Sequence, residues 1–224
     1  MTGVADKLER VRERIARAAA RSARSPAAIT LVAVTKGCPA AIVRDLYALG
    51  VRDFGENRVQ EALPKMDLEL PGARWHLIGH LQENKINKIL PRVYLIQSLD
   101  SLDLARAVDQ RAARDGRRVA VLLEVKTSPE PAKHGFELGA TEDAYRAAAA
   151  LPGLELRGLM TMAPFAAPEP ALRACFGSLR RLQDQLRDCA APPAILSMGM
   201  SDDFELAVEE GSTLVRIGRA IVAD

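Results

Sequence analysis

Leu31-Val32-Ala33-Val34-Thr35-Lys36-Gly37 is the stretch on which the reading of this chain turns. Its first four residues are apolar without alternation, so an extended segment here must be covered on both faces, as in a parallel sheet wrapped by helices. A lysine follows almost at once. The flanking sequence supplies the cover. Ahead of the run, Val4, Leu8, Val11, Ile15, Ala18 and Ser22 recur at steps of three and four among arginines and glutamates. That spacing predicts an amphipathic helix ending near Arg24, closed by Ser25-Pro26. Behind the run, a helical pattern from Pro39 to Leu49 leads to a short strand at Arg52-Asp53-Phe54.

The alternation continues through the chain. Further strands are expected at Arg74 to Ile78, Val93 to Gln97, Val119 to Val125, Leu154 to Met160, Ala194 to Ser197 and Thr213 to Ile217. Helical patterns at 58–66, 84–90, 102–115, 141–151, 169–187 and 202–210 separate them. Eight strands alternating with helices, with no linker between, predict an α/β fold: a single (β/α)8 TIM barrel occupying residues 1–224 as one domain. A doubly wound open sheet is the alternative topology. Asp224 follows soon after the eighth strand, so neither a C-terminal β-domain nor a full eighth helix is expected. The extra N-terminal helix, residues 1–24, is expected to pack on the barrel in that helix's place.

Composition narrows the function classes. Lys+Arg 31 against Asp+Glu 29 gives a net charge of +2, no electrostatic footing for nucleic acid or an anionic membrane. No uncharged stretch approaches the roughly 18 apolar residues of a membrane span. No signal peptide is expected from the charged first segment, and Asp6, Glu9 and Glu13 argue against a transit peptide. Cys38, Cys175 and Cys189 form no CxxC pair, so free thiols in a reducing compartment are expected, and with them a cytoplasmic protein.

In a barrel, functional groups gather where strands end at the C-terminal face. Lys36 emerges there directly behind an apolar strand. Desolvation would disfavour its ammonium and free the amine for a Schiff base with an aldehyde. A lysine at a strand end can equally be a side chain reaching for solvent, so Lys36 needs a partner site. The last two strands offer one, where barrels frequently hold phosphate. Gly199 permits a tight turn, Ser201 can cap the helix that follows, and Gly218 would expose further backbone N–H groups. Taken alone, these residues also fit an ordinary N-cap and loop glycines. Taken with Lys36, they point to an aldehyde carrying a phosphate, which describes pyridoxal phosphate.

Several blocks then resemble one family. Val34-Thr35-Lys36, Gly55-Glu56-Asn57-Arg58-Val59-Gln60-Glu61, Trp75-His76-Leu77-Ile78-Gly79-His80-Leu81-Gln82 with Asn84-Lys85, Leu196-Ser197-Met198-Gly199-Met200-Ser201-Asp202-Asp203 and Val215-Arg216-Ile217-Gly218 are similar to the pyridoxal phosphate homeostasis proteins. That family is similar in fold to the N-terminal barrel of alanine racemase. The resemblance implies that Lys36 carries pyridoxal 5'-phosphate as a covalent aldimine. It implies that Ser201 and the backbone of Gly218 and Arg219 hold the phosphate, that Arg216 faces the pyridine nitrogen, and that Asn57 and Met200 line the site. A guanidinium cannot accept a proton, so it would disfavour a pyridinium and make the ring a poorer electron sink. Two departures from the family pattern stand out: Lys126 and Ala132 in the 126–135 loop, and Arg219 where a threonine is common.

The remaining candidates read as structural. Met160, Met162 and Met198 fill core gaps. His76, His80 and His134 form no metal set by spacing, so no metal is expected. Cys38 reads as a bystander thiol. Glu56 and Glu61 either pair with lysines or line the mouth. The resemblance implies a monomeric carrier in cellular pyridoxal phosphate (vitamin B6) and amino-acid balance, without turnover, whose partners are the cofactor and apo forms of enzymes that use it. A racemase of the alanine racemase type is the alternative, and a cofactor-free Schiff-base aldolase a third reading. Racemisation needs a second acid/base, in alanine racemase a tyrosine from the partner's β-domain. Tyr47, Tyr94 and Tyr145 all fall away from the C-terminal ends of strands.

Overall fold

Each strand runs parallel to its neighbours, and their order closes on itself. In the computed structural model, which describes residues 3–128 and 134–223, the strands are β1 (Thr30–Val34), β2 (Asp53–Glu56), β3 (Arg74–Leu77), β4 (Leu95–Leu99), β5 (Val119–Lys126), β6 (Phe136–Glu137), β7 (Leu154–Met160), β8 (Ile195–Ser197) and β9 (Leu214–Ile217). Pairing proceeds from β1 through β5, then to β7, β8 and β9, and β9 returns to β1 with Thr30 opposite Leu214 and Ala33 opposite Ile217. The β4–β5 and β1–β9 seams exclude the open sheet. The remaining strand, β6, extends β5 beyond the barrel, with Val125 opposite Phe136. Two residues carry no readable period, so the sequence gives no sign of it.

The helices are α1 (Val4–Arg21), α2 (Ala40–Ala48), α3 (Val59–Met66), α4 (Ile86–Ile89), α5 (Leu102–Arg114), α6 (Thr141–Ala149), α7 (Glu169–Gln185), α8 (Phe204–Glu209) and α9 (Arg219–Val222). Boundaries move where local hydrogen bonds outrank pattern. The expected strand at 93–97 begins instead at Leu95, because Val93 N–H still bonds Ile89 O and prolongs the preceding helical turn. α1 ends at Arg21 rather than near Arg24, where Ala23 takes φ 53° and turns the chain.

Strand residues alternate between two environments, as a period of two requires. Val32, Leu95, Ala120, Leu122, Met160 and Leu214 meet inside the barrel. Ala33, Phe54, Trp75, Val215 and Ile217 face outward under α1, α2, α8 and α9. Burying each large apolar side chain contributes about 1.5–3 kcal/mol. α1 buries Leu8, Val11, Ile15, Ala18 and Ala19 against Phe204 and Val208 of α8, Ile221 of α9 and Leu46 of α2. Arg14 clamps Glu205 through two 2.8 Å hydrogen bonds, and Arg21 pairs with Glu209 at 2.6 Å. α9 is only one turn long, and α1 packs beside it and α8. No described helix is long and apolar enough to cross a membrane, and all three cysteines are unbridged.

Candidate functional site

A cavity of about 350 Å³ opens at the C-terminal mouth of the barrel, and all seven residues singled out from sequence line it: Lys36, Asn57, Met200, Ser201, Arg216, Gly218 and Arg219. They come from turns, from strand β9 and from the start of α9, far apart in sequence and brought together by barrel closure.

Lys36 stands in the turn just past β1. Beneath it, buried Thr35 donates its hydroxyl to Glu56 Oε1 at 2.6 Å, and Lys65 of α3 reaches Thr35 O at 2.6 Å and Glu56 Oε1 at 2.7 Å. Lys65 is 7% exposed and Glu56 1%, so this is a buried ion pair whose geometry must be good to offset desolvation. Glu56 Oε2 has no hydrogen-bond partner among the described residues. Gly37 N–H adds a bond to Glu61 Oε2 at 3.2 Å. Both glutamates thus secure the lysine turn. Lys36 itself is exposed, and its ammonium is engaged by no described residue. The desolvation expected from sequence is absent, because the apolar residues before it belong to the strand and the lysine lies beyond the strand's end.

Asn57 follows β2 at the same rim. Gly79 allows its backbone to pass: a Cβ at that position would lie 2.4 Å from Asn57 O.

Across the mouth, the chain turns after β8 on Gly199, with φ +97° and Ala207 Cβ only 2.6 Å from where its Cβ would be. Sequence assigned Ser201 to the cap of the following helix. Asp203 holds that position instead, accepting Met200 N–H at 2.5 Å, while Ser201 Oγ accepts Ala220 N–H of α9 at 3.2 Å. The reason is turn length: Ser201 and Asp202 belong to the turn before α8. Burial raises the Asp203 carboxyl above the usual range, against the opposing pull of the Met200 N–H and the Arg216 charge. Gly218 sits at the start of α9. Arg219 pairs with Asp202 and lies 5.9 Å from the Phe165 ring centroid.

Arg216 is the buried cation of the cavity, 4% exposed. Its Nη1 donates to Ser197 Oγ at 2.5 Å and its Nη2 to Thr161 O at 2.9 Å. Burial pushes the guanidinium down to about 10, with Glu124 and Asp203 resisting. It therefore stays protonated at neutral pH and offers donors only.

Sequence reasoning missed the third wall, Ala163 to Ala167, where Phe165 is 80% exposed. The available signal was an aromatic residue between two prolines, just past the end of β7. It also kept His80 and His134 apart. They stack at 4.4 Å with planes 16° apart, both with Nδ1 toward Asp100 Oδ2, at 2.6 and 3.6 Å. The three ligand atoms lie within 4.8 Å of one another, a grouping that spacing in sequence does not reveal. In the 126–135 loop, Lys126 pairs with Glu137 at 2.8 Å. Ala132 lies outside the described residues.

Comparison with known proteins gives this geometry its context. The profile described as alanine racemase, N-terminal domain, matches residues 7–224. The pyridoxal phosphate homeostasis protein of Aquifex aeolicus is 38% identical over 98% of this chain and 97% of its own. That of Pseudomonas aeruginosa is 41% identical over 99% and 95%. The chain belongs to the pyridoxal phosphate homeostasis protein family. The solved structure of PipY of Synechococcus elongatus with PLP bound superposes with a TM-score of 0.86 at 36% identity, over 97% of this chain and 99% of PipY. The alanine racemase of Corynebacterium glutamicum, 18% identical with a TM-score of 0.77, shares the fold over 97% of this chain and 59% of the racemase.

Proposed function

We propose that this chain binds pyridoxal 5'-phosphate in the mouth cavity, covalently, as a Schiff base on Lys36. It acts as a monomeric, single-domain carrier in cytoplasmic vitamin B6 and amino-acid homeostasis, without catalytic turnover. The observation that carries the reading is the convergence on one cavity of an exposed primary amine that no described residue engages, a serine hydroxyl and a buried guanidinium. The PLP-bound state of PipY supports it. The bound group supplies an aldehyde for condensation with an amine.

Lys36 provides that amine. Ser201 and the backbone of Gly218 and Arg219 hold the phosphate, and Arg219 can exchange Asp202 for it because both side chains are solvent-accessible. Arg216 donates toward the ring nitrogen and Asn57 and Met200 pack beside the ring. Two features favour carrying over turnover. The cavity is open to water at Lys36, which suits exchange better than carbanion chemistry. Each tyrosine hydroxyl is occupied elsewhere: Tyr47 donates to Pro71 O, Tyr145 to Ala191 O, and Tyr94 accepts from Arg157. Apo forms of enzymes that use the cofactor are the acceptors.

Purified protein titrated with pyridoxal phosphate should develop a new absorbance band that Lys36→Ala lacks. A wild-type protein that takes up no cofactor overturns the proposal. Sustained racemisation of a common amino acid would overturn the carrier role, and transfer to an apo-enzyme no faster than through free solution would remove direct delivery.

A further inference from the structure

Arg216 is one end of a hydrogen-bonded chain that crosses the barrel interior. Ser197 Oγ, which accepts from Arg216, donates in turn to Gln97 Oε1 at 2.7 Å. Gln97 Nε2 lies 2.9 Å from His76 Nδ1, and His76 Nε2 lies 2.9 Å from Asp53 Oδ1. Arg74 closes the far end, donating to Asp53 Oδ2 at 2.5 Å. The members come from β9, β8, β4, β3 and β2, and none of the five from Arg216 to Asp53 is more than 6% exposed.

The residue types fix the direction of every bond. An arginine can only donate and a carboxylate only accept. Ser197 uses the Gln97 carbonyl oxygen, so the amide NH₂ faces His76. His76 Nδ1 is therefore the acceptor, and Nε2 bears the proton given to Asp53. The ring is neutral in this arrangement. Burial accordingly holds His76 below its usual range even with Asp53 beside it. Burial alone would raise Asp53, but hydrogen bonds from His76 and Arg74 outweigh it and hold the carboxyl low. Within the chain, each bond from Arg216 to His76 is donated in the same direction, from the cavity toward the Asp53 carboxylate.

We infer that His76 and Gln97 are positioning residues for the cavity: through Ser197 they fix the plane of the Arg216 guanidinium and so set how it meets the ring nitrogen of bound pyridoxal phosphate. The inference deepens the function proposed above and rests on it. Arg216 has two anchors, Ser197 Oγ and Thr161 O. Two anchors define a plane and one does not. Without an ordered Ser197, the guanidinium is free to turn toward the carboxylates of Glu124 and Asp203, which already act on it.

The test uses Gln97→Leu, which cuts the chain two links from the guanidinium, and Ser98→Ala as control. Ser98, next on the same strand, donates to Gly79 O at 2.6 Å outside the chain. With pyridoxal phosphate as the probe, Gln97→Leu should shift the bound absorbance maximum and weaken binding about fivefold, and Ser98→Ala should do neither. If Gln97→Leu does not fold, Ser197→Ala should give the same shift and Ser197→Thr should restore the wild-type band. In the ligand-free protein, nitrogen NMR should find His76 as the neutral Nε2–H tautomer. Folded Gln97→Leu or Ser197→Ala with an unchanged spectrum and affinity overturns the inference, as does an equal shift in Ser98→Ala. Failure of the wild type to take up the probe strikes the proposed function instead, and the His76 tautomer still reports on the chain.

Discussion

The two faces of the same strands do different work. Phe54, Trp75, Val215 and Ile217 point outward and pack beneath helices. Their immediate neighbours Asp53, His76 and Arg216 point inward and belong to one polar chain. The outer face needs bulk and apolarity, and many residues supply both. The inner face needs each donor matched to an acceptor, because a buried polar group without its partner costs about 1–3 kcal/mol. Stability is thus concentrated outside the strands and site organisation inside them, with the cavity at the rim where the inner face meets solvent.

Substitutions can break or sharpen that division. The largest effect is expected from Lys36→Ala, which should abolish covalent uptake of pyridoxal phosphate by mass spectrometry. Because Lys36 is exposed, its loss should leave stability within about 0.5 kcal/mol of wild type in a urea melt. Phe54→Ala should do the reverse. Phe54 is fully buried on the outer face, so about 3–5 kcal/mol of stability should be lost, while the protein that remains folded binds with wild-type affinity. A large drop in affinity there would show that the faces are coupled. Ser201→Ala removes one hydroxyl at the proposed phosphate end and should weaken binding at least about tenfold, as a hydrogen bond to a charged group contributes about 1.5–3 kcal/mol, while loss of the bond from Ala220 N–H lowers the melting temperature only slightly.

A smaller effect concerns acid. His76 is held below its usual range in the fold, so the unfolded chain binds a proton more readily, with a midpoint of about 6.5. Its contribution is whole above that pH and is lost as the pH falls through it. The lowered Asp53 adds a second loss, felt only as the pH falls through about 3.9 and lower. Urea melts at pH 8, 7, 6 and 5 should therefore show stability declining below pH 7 in the wild type, with Phe54→Leu shifting the whole curve without changing its slope. A flat profile would remove His76 from the inner-face account.

The fold is largely legible in sequence because each strand and helix carries its own local pattern. The barrel follows from their repetition, and the differences lie at ends such as Val93, where a helical turn runs on, and at β6, whose two residues carry no period. The site is legible only as separate pieces. Lys36, Ser201 and Arg216 each follow from a strand end or a family motif, but their meeting depends on closure between β9 and β1. The polar chain was invisible: Ser197 and Gln97 are a hundred positions apart, and no local pattern relates them. Lys36 is exposed although apolar residues precede it, because neighbours in sequence are not neighbours in space once the strand has ended. Ser201 was given the wrong helix for a similar reason, since a turn too short to notice separates it from α8.

The central claim is that the cofactor is held at Lys36, at the rim of the inner face. Borohydride reduction of protein loaded with pyridoxal phosphate, followed by peptide mass mapping, tests it most directly. The account predicts one pyridoxyl adduct, on the peptide containing Lys36; an adduct confined to another lysine, or none at all, would contradict it.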